Sequence, residues 1–578
     1  MSHAFLLKLR YGFLPLLLLF LAAAGTGITA ARAESAVPSP AFSKPSGFYD
    51  DPFELTVLTE EGLSVYFTLD GSTPDETDSL YAEPLTIRDV SEEPNMLSAR
   101  TDIWPSGIRG EIMAPPAPVD KATVIRAVAV DGEGNRSDVS TAVFFVGFQD
   151  KSFFYDEFTV VSLILDEGDL FDDARGIYVL GDAYKEWRDS GDYDPDLSDW
   201  QIPANYMNRG REWERQAYMQ IFDQGRERAS AEVGIRIHGA TSRCFAQKSF
   251  NIYTRKKYGT EPLRCDLFNG DNRSEATGEP ITEYDSFVLR NCGGDRLARI
   301  RNQLVQNQTR GRGFITQAAA PCVVFINGEF WGHYEITEKL TNSFIRDHFG
   351  VSKKNVVLVK NEEIEEGTGE DAAALAELRK WIRETDFSDA EAYEELGRLI
   401  DLDGLAEYIS TEFYIANWDF GDNNVALWKA RDPDPENEWA DGKWRFILFD
   451  VDYSEGIYGE AAADMDAVER LRGMNCIIAD FFFGAMGNPD FRERFSEVYE
   501  NETKDDFAYG RVSDAIDELD GVYREAVLAT NSRFWPDWSD DEDEDGALDL
   551  EFQEIREFFA ARQEYSDAHV AKLMSQYN

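Results

Sequence analysis

Hydrophobic and polar positions change their period along this chain. Leu63-Ser64-Val65-Tyr66-Phe67-Thr68-Leu69 alternates with a period of two, as a half-buried strand does, and runs into the turn-forming Asp70-Gly71-Ser72-Thr73-Pro74. Val124 to Val130 predicts a second strand, closed by Asp131-Gly132-Glu133-Gly134-Asn135, and Thr141 to Val146 a third. Residues 36–147 therefore read as a small all-β sandwich module. From about residue 158 the pattern mixes. Phe158 to Leu165 is a buried-strand run, and Val233–Gly239, Lys248–Tyr253 and Ser286–Arg290 read as strands. Leu297 to Arg310 reads as a basic helix with a solvated face. Val323 to Ile326, then Asn327-Gly328, then Phe330 to Ile336 predict a hairpin with Phe330, Trp331 and Tyr334 in the core. Glu338 and Lys339 follow it and need no side-chain role. Residues 371–384 and 402–415 are amphipathic, and Gln553 to Leu573 is a closing helix. Strands first and helices later predict an α+β domain of two lobes with a cleft between them, spanning residues 158–578.

Composition narrows the partners. The chain has 578 residues, with 57 Lys+Arg against 109 Asp+Glu, a net charge of −52. A surface so acidic repels nucleic-acid phosphates, while 12 Trp, 24 Tyr and 39 Phe exclude a mainly disordered acidic chain. Lys8 and Arg10, the apolar run Phe13–Ala24 and the Ala31-Arg32-Ala33 pattern predict a signal peptide over residues 1–33. The expectation is an exported protein, secreted or at the cell surface, with no transmembrane segment in the mature chain. Cys244, Cys265, Cys292, Cys322 and Cys476 form no C-x-x-C pair, which argues against a thiolate zinc site. Bridges Cys244–Cys265 and Cys292–Cys322 or five buried thiols both fit. No H-x-x-x-H pattern and no His beside a Ser/Asp set points to a zinc or serine hydrolase, and His238 reads as structural.

Two acid-rich stretches carry the candidate chemistry. Asn417-Trp418-Asp419-Phe420-Gly421-Asp422-Asn423-Asn424 follows a helix, and about twenty residues on an apolar strand delivers Asp450 and Asp452. Carboxylates at the end of a buried strand are costly unless a cation or hydrogen bonds neutralise them. Asp419 and Asn424 stand in the D-x-x-x-x-N spacing of a protein-kinase catalytic loop, where the Asp orients an acceptor hydroxyl and the Asn holds a metal. Asp450 falls where the second metal-binding acid stands. No glycine-rich phosphate loop exists in the candidate position. The loop His238–Gln247 can cover phosphates instead, with Thr241 and Ser242 supplying hydroxyls and Arg236 or Lys248 a cation. Asp541, Asp543, Asp545 and Asp549 follow most of a calcium-loop pattern, though Phe552 stands at the twelfth position where a bidentate Glu belongs.

Two resemblances extend this reading. YFTLDGSTPDETDSLYAEPLTI and IRAVAVDGEGNRSDVS resemble the β-sandwich module at the C-terminus of chitobiases and β-hexosaminidases, apart from an insertion near residues 92–118. That family implies an accessory role, with cell-wall or other glycan as a partner by analogy. NYMNRGREWER, GIRIHGATSRCFAQKSFNIYTRKKYG, FVLRNCGGDRLARIRNQLVQ, FINGEFWGHYEITEKL, NWDFGDNN and FDVDYSEG together resemble the CotH family, atypical kinases first known from bacterial spore coats. The resemblance implies a multidomain chain with a protein-kinase-like domain, ATP with Mg²⁺ (or Mn²⁺), and phosphorylation of Ser/Thr on secreted or surface proteins. It implies Asp419 as the catalytic carboxylate, Asn424 and Asp450 as metal ligands, and Asp452 as a residue that supports the ligands from behind or as an alternative ligand. Adenylylation or glutamylation on the same fold is one rival expectation. A non-catalytic surface protein that binds glycan is the other.

Overall fold

The computed structural model describes residues 37–105, 114–151, 154–155, 158–259, 262–535 and 543–577. The signal-peptide stretch lies outside them. The β-module contributes strands β1 (Gly47–Tyr49), β2 (Ser64–Thr68), β3 (Ser79–Leu80), β4 (Thr123–Val130) and β5 (Ser140–Val146). Two small two-stranded sheets, Ala41–Phe42 with Val57–Leu58 and Phe53–Leu55 with Leu85–Ile87, cover one face. Leu55, Val65, Ile87, Ile125, Ala127 and Phe144 fill the space between.

Seven further strands of one sheet follow: β6 (Thr159–Ile164), β7 (Arg215–Asp223), β8 (Arg226–Ile237), β9 (Phe250–Tyr253), β10 (Ser286–Arg290), β11 (Ala319–Ile326) and β12 (Glu329–Glu338). Their order is β7-β6-β11-β12-β10-β9-β8, and β7 pairs back onto β8, so the sheet closes on itself. Closure removes free edges among these seven strands. β12 is buried at every position because the helix Tyr509–Phe534 also packs on it. The β11–β12 hairpin turns on Asn327 (φ 46°) and Gly328 (φ 88°), as an Asn-Gly pair allows.

The module is not a separate bead. Its sheet continues from β8 through β1, where Gly47 pairs with Arg226, and then β5, β4, β2 and β3. Phe145 and Phe148 of the module pack with Phe222 and Phe325 of the closed sheet in one apolar cluster.

The second half holds a four-stranded sheet and the long helices. Strands β13 (Val356–Lys360), β14 (Glu363–Glu366), β15 (Ala426–Ala430) and β16 (Arg445–Ile447) run in the order β14-β13-β15-β16. Around them lie α1 (Arg301–Gln308), α2 (Gly369–Glu384), α3 (Leu402–Tyr414), α4 (Pro489–Lys504), α5 (Tyr509–Phe534) and α6 (Glu544–Ser575). Thr368 and Asp371 make a capping box on α2, and Asp401 caps α3. Among the described residues no helix is long and apolar enough to cross a membrane.

Two expectations need correction. The helix expected over Leu297–Arg310 spans only Arg301–Gln308, and Arg299 and Arg301 do not lie on a solvated face. Arg299, at φ 60°, is buried and donates to Gln247 Oε1 at 2.8 Å; Arg301 is buried against Asp295 at 2.6 Å. Between the open alternatives for cysteine, all five are free, buried thiols.

Candidate active-site cleft

The helix α3 ends at Tyr414, and the chain then makes a tight excursion to β15. Asn417 braces it: its Oδ1 accepts from the Asp419 amide at 3.1 Å, and its Nδ2 donates to the buried Glu412 at 2.9 Å. The Trp418 amide donates to the Tyr453 carbonyl at 2.9 Å, tying the loop to the segment after β16. Gly421 (φ 136°) leaves room for Met474, into which any side chain there would run. Asn424 and Asp450 both lie in the left-handed region, at φ 50° and 56°. That conformation costs a residue with a Cβ roughly 1 kcal/mol, and it recurs where a site over-determines the backbone.

Asp419, Asn424, Asp450 and Asp452 all line one cleft of about 1090 Å³. The Arg290 guanidinium, at the end of β10, joins the last two through one nitrogen, 2.7 Å from Asp450 Oδ1 and 2.7 Å from Asp452 Oδ1. Burial opposes the charge on Asp450, but Arg290 outweighs it and holds this carboxyl below the usual range. Asp452 moves the other way, pushed up by its burial despite Arg290 and further by the charge on Asp450. The two also differ in exposure: the Asp450 side chain is 46% exposed, that of Asp452 only 5%. Asp452 Oδ2 accepts from the amides of Gly294 (2.5 Å) and Asp295 (3.3 Å). Asp452 is thus engaged by Arg290 and the Gly293–Asp295 turn, which favours the supporting one of its two expected roles. Burial, then the nearby Asp450 charge, raises the Asp419 carboxyl.

Cations face this acid wall. Arg236, Lys339 and Lys360 line the cleft, together with Thr241 and Ser242. Burial, aided by Lys360 and Arg236, pushes the Lys339 ammonium down to about 8. Lys339 and Lys360 were not among the expected site residues, nor was Arg290. Each stands at or just beyond the end of a strand, the same signal that picked out Asp450.

The loop after β8 forms a short 3-10 turn over Thr241–Cys244. Arg243 holds it from beneath, donating to Gly239 O (2.8 Å), Tyr206 O (2.7 Å) and Ile237 O (2.6 Å). Lys248 does not reach the cleft. It is fully buried, and its Nζ donates to three main-chain carbonyls, so the expected phosphate contact is corrected to a structural one. His238, expected as structural, lies against the cleft with Nδ1 3.1 Å from Asn251 Oδ1.

The family model for CotH kinase protein matches residues 235–566, more than half of the chain. The chain belongs to the CotH kinase family. The CotH match begins at Ile235 in β8 and ends in α6, so it takes in every cleft residue named above. The model described as Fn3 associated matches residues 49–144, which is the β-module; a chitobiase-type module is not what matches. No curated protein matches the chain.

A CotH kinase-like site implies a nucleotide and a divalent cation, and the donor set fits one. The Asn424 amide nitrogen is committed to the Asp450 carbonyl at 2.7 Å, which turns its oxygen over to a ligand, and Asp450 presents an ionised carboxylate to the cleft. Among the described residues no three His, Cys, Asp or Glu side chains gather as a closed cage. Mg²⁺ needs none, because it is usually held by one or two protein oxygens with water and phosphate completing the shell. The described residues of the calcium pattern are engaged otherwise. Helix α6 starts at Glu544, Asp543 caps it by accepting from the Gly546 amide, and Asp545 and Asp549 pair with Arg524. Asp541 lies outside the described residues.

Proposed function

We propose that the protein is an exported phosphotransferase that moves the γ-phosphoryl group of Mg-ATP to a Ser or Thr hydroxyl of a secreted or surface protein. One observation carries this reading: Asp419, Asn424 and Asp450 share a single cleft with Arg236, Lys339 and Lys360. Phosphoryl transfer asks little covalent chemistry of a protein; it asks for placed charge. Asp419 orients the acceptor hydroxyl and takes its proton as the oxygen bonds to the γ-phosphorus and the bond to the β–γ bridging oxygen breaks. Lys339, Lys360 and Arg236 hold phosphate oxygens. Asn424 and Asp450 would hold Mg²⁺, which when bound would neutralise charge on the phosphates. Arg290 keeps Asp450 ionised and aimed.

A second reading has its own support. The loop over the cleft carries Thr241, Ser242 and a buried Arg243 in place of a glycine-rich run. Nucleotide could therefore sit in another orientation and deliver its α-phosphorus, which would make the protein an adenylyltransferase. The experiment is transfer from ATP labelled at the α- or the γ-phosphate to casein and to the protein itself, with Asp419→Ala and Asp450→Ala in parallel. Label from γ alone, absent in both variants, supports the kinase. Label from α supports adenylylation. No label, with no Mg-ATP shift in melting temperature but one from chitin oligosaccharide, would leave a glycan-binding surface protein. Recovery of the chain starting at Glu34 from the medium or surface of expressing cells checks export.

A further inference from the structure

The insertion of the β-module reaches the loop over the cleft. The Glu329 carboxylate, on β12, accepts from the amides of Met96 (2.6 Å) and Ser98 (2.7 Å). Leu97 and Ile103 are buried in the apolar core of the closed sheet. The Asp102 carbonyl accepts from the Leu180 amide at 3.0 Å, and Trp104 Nε1 donates to Asp199 at 3.0 Å. The stretch from Met96 to Trp104 is therefore held at several points.

Its far end meets Lys248. The Nζ donates to Ile103 O at 2.8 Å, Arg243 O at 2.9 Å and Phe245 O at 2.6 Å, and stands 3.9 Å from the centre of the Tyr206 ring. A buried ammonium is tolerated only when all three donors are satisfied, and here three carbonyls satisfy them. Two of those carbonyls belong to the turn that carries Thr241 and Ser242 on its cleft side; the third belongs to the module. Nothing in the local fold of a β8–β9 connection requires a partner from 145 residues upstream. A misplacement of about 1 Å in a positioning element can cost on the order of 10²-fold in rate.

We infer that the β-module is a positioning element of the cleft, and that Lys248 is the residue through which its Ile103 carbonyl holds the 239–247 loop over the bound nucleotide. The kinetic part rests on the nucleotide reading given above; the structural part does not. The test uses the full chain with Lys248→Met, which keeps the apolar stem, and Glu329→Ala, which releases the insertion without touching the loop. Hydrogen exchange is read over residues 239–247 and, as a control, over α4. Both variants are expected to exchange faster in the loop, about tenfold for Lys248→Met and less for Glu329→Ala, with α4 unchanged. The KM for ATP should rise by a similar factor while kcat falls less. Unchanged loop exchange in Lys248→Met overturns the inference. So does faster exchange in Lys248→Met with none in Glu329→Ala, since Lys248 would then be a brace independent of the module. Should Lys248→Met fail to fold, Glu329→Ala alone decides by the same exchange readout. If the wild-type chain neither binds nor turns over ATP, the phosphotransferase reading fails and loop exchange still decides the clamp.

Discussion

The side-chain amide of Asn424 donates to the main-chain carbonyl of Asp450 at 2.7 Å, and both residues hold a left-handed backbone. Two loops 26 residues apart are thereby locked edge to edge, each presenting an oxygen ligand to the same space. Asn tolerates this conformation better than most residues, and Gly better still. Asn424→Ala should therefore lose both the bond and the conformational fit, whereas Asn424→Gly should lose the bond alone. We expect the glycine variant to melt above the alanine variant, by roughly 1 kcal/mol of stability. Both should lose phosphoryl transfer to a similar degree. Melting curves beside transfer assays check this, and a fully active glycine variant would remove Asn424 from the site.

Asp450 and Asp452 share Arg290 but do different work. A group behind the ligands typically costs 10–100-fold in metal affinity when changed, while loss of a ligand costs more. Asp452→Asn should thus raise the Mg²⁺ concentration for half-maximal transfer by about 10–100-fold. Asp450→Asn should abolish transfer at any Mg²⁺ concentration. Titration of Mg²⁺ at fixed ATP distinguishes the two, and equal curves would mean the roles are shared.

Lys339 sets an upper pH limit. Burial, with Lys360 and Arg236 nearby and Glu365 opposing them, brings its ammonium down to about 8. As pH rises through that value the cation is lost and phosphate attraction weakens. The KM for ATP should climb above pH 8, and in Lys339→Met it should be high throughout with that inflection gone. An unchanged inflection in the variant would assign it elsewhere.

Glu412 bears on stability. Its carboxyl is buried, and burial raises it to about 8 against the hydrogen bond from Asn417. Because the folded value lies above the unfolded one, the folded state holds the extra proton between about pH 4.5 and 8, and stability falls as pH rises through that window. Glu412→Gln has no proton to lose and keeps an acceptor for Asn417. The variant should melt near the wild type at pH 5 and increasingly above it toward pH 9. A constant difference across pH would refute the assignment.

The acid run before α6 should ignore calcium. Asp545 and Asp549 pair with Arg524, which also holds Asp520, and Asp543 is a helix cap. Millimolar Ca²⁺ followed by chelator should leave the melting temperature unchanged. A reversible rise would reinstate a calcium site there.

Local pattern determined much of this protein from the sequence alone. The alternation at 64–68 and 123–130, the Asn-Gly hairpin at 327–328 and the helices at 369–384 and 402–414 are set by neighbours within a few residues, and they appear where periodicity puts them. Asp450 stood out as an acid at the end of an apolar strand, and Asp419 and Asn424 by their D-x-x-x-x-N spacing; the fold brings all three to one cleft. Tertiary structure decided the rest. That β7 pairs back onto β8, that Gly47 pairs with Arg226, and that Arg299 and Arg301 are buried depend on partners far along the chain. Lys248 and Lys339 show the limit most clearly. Each lies close to a strand end, and nothing local distinguishes them; one is taken by the Ile103 carbonyl from a distant segment, and the other is left facing the cleft. Which way a lysine turns is set by which carbonyls and charges the fold brings to it, and that information is not local.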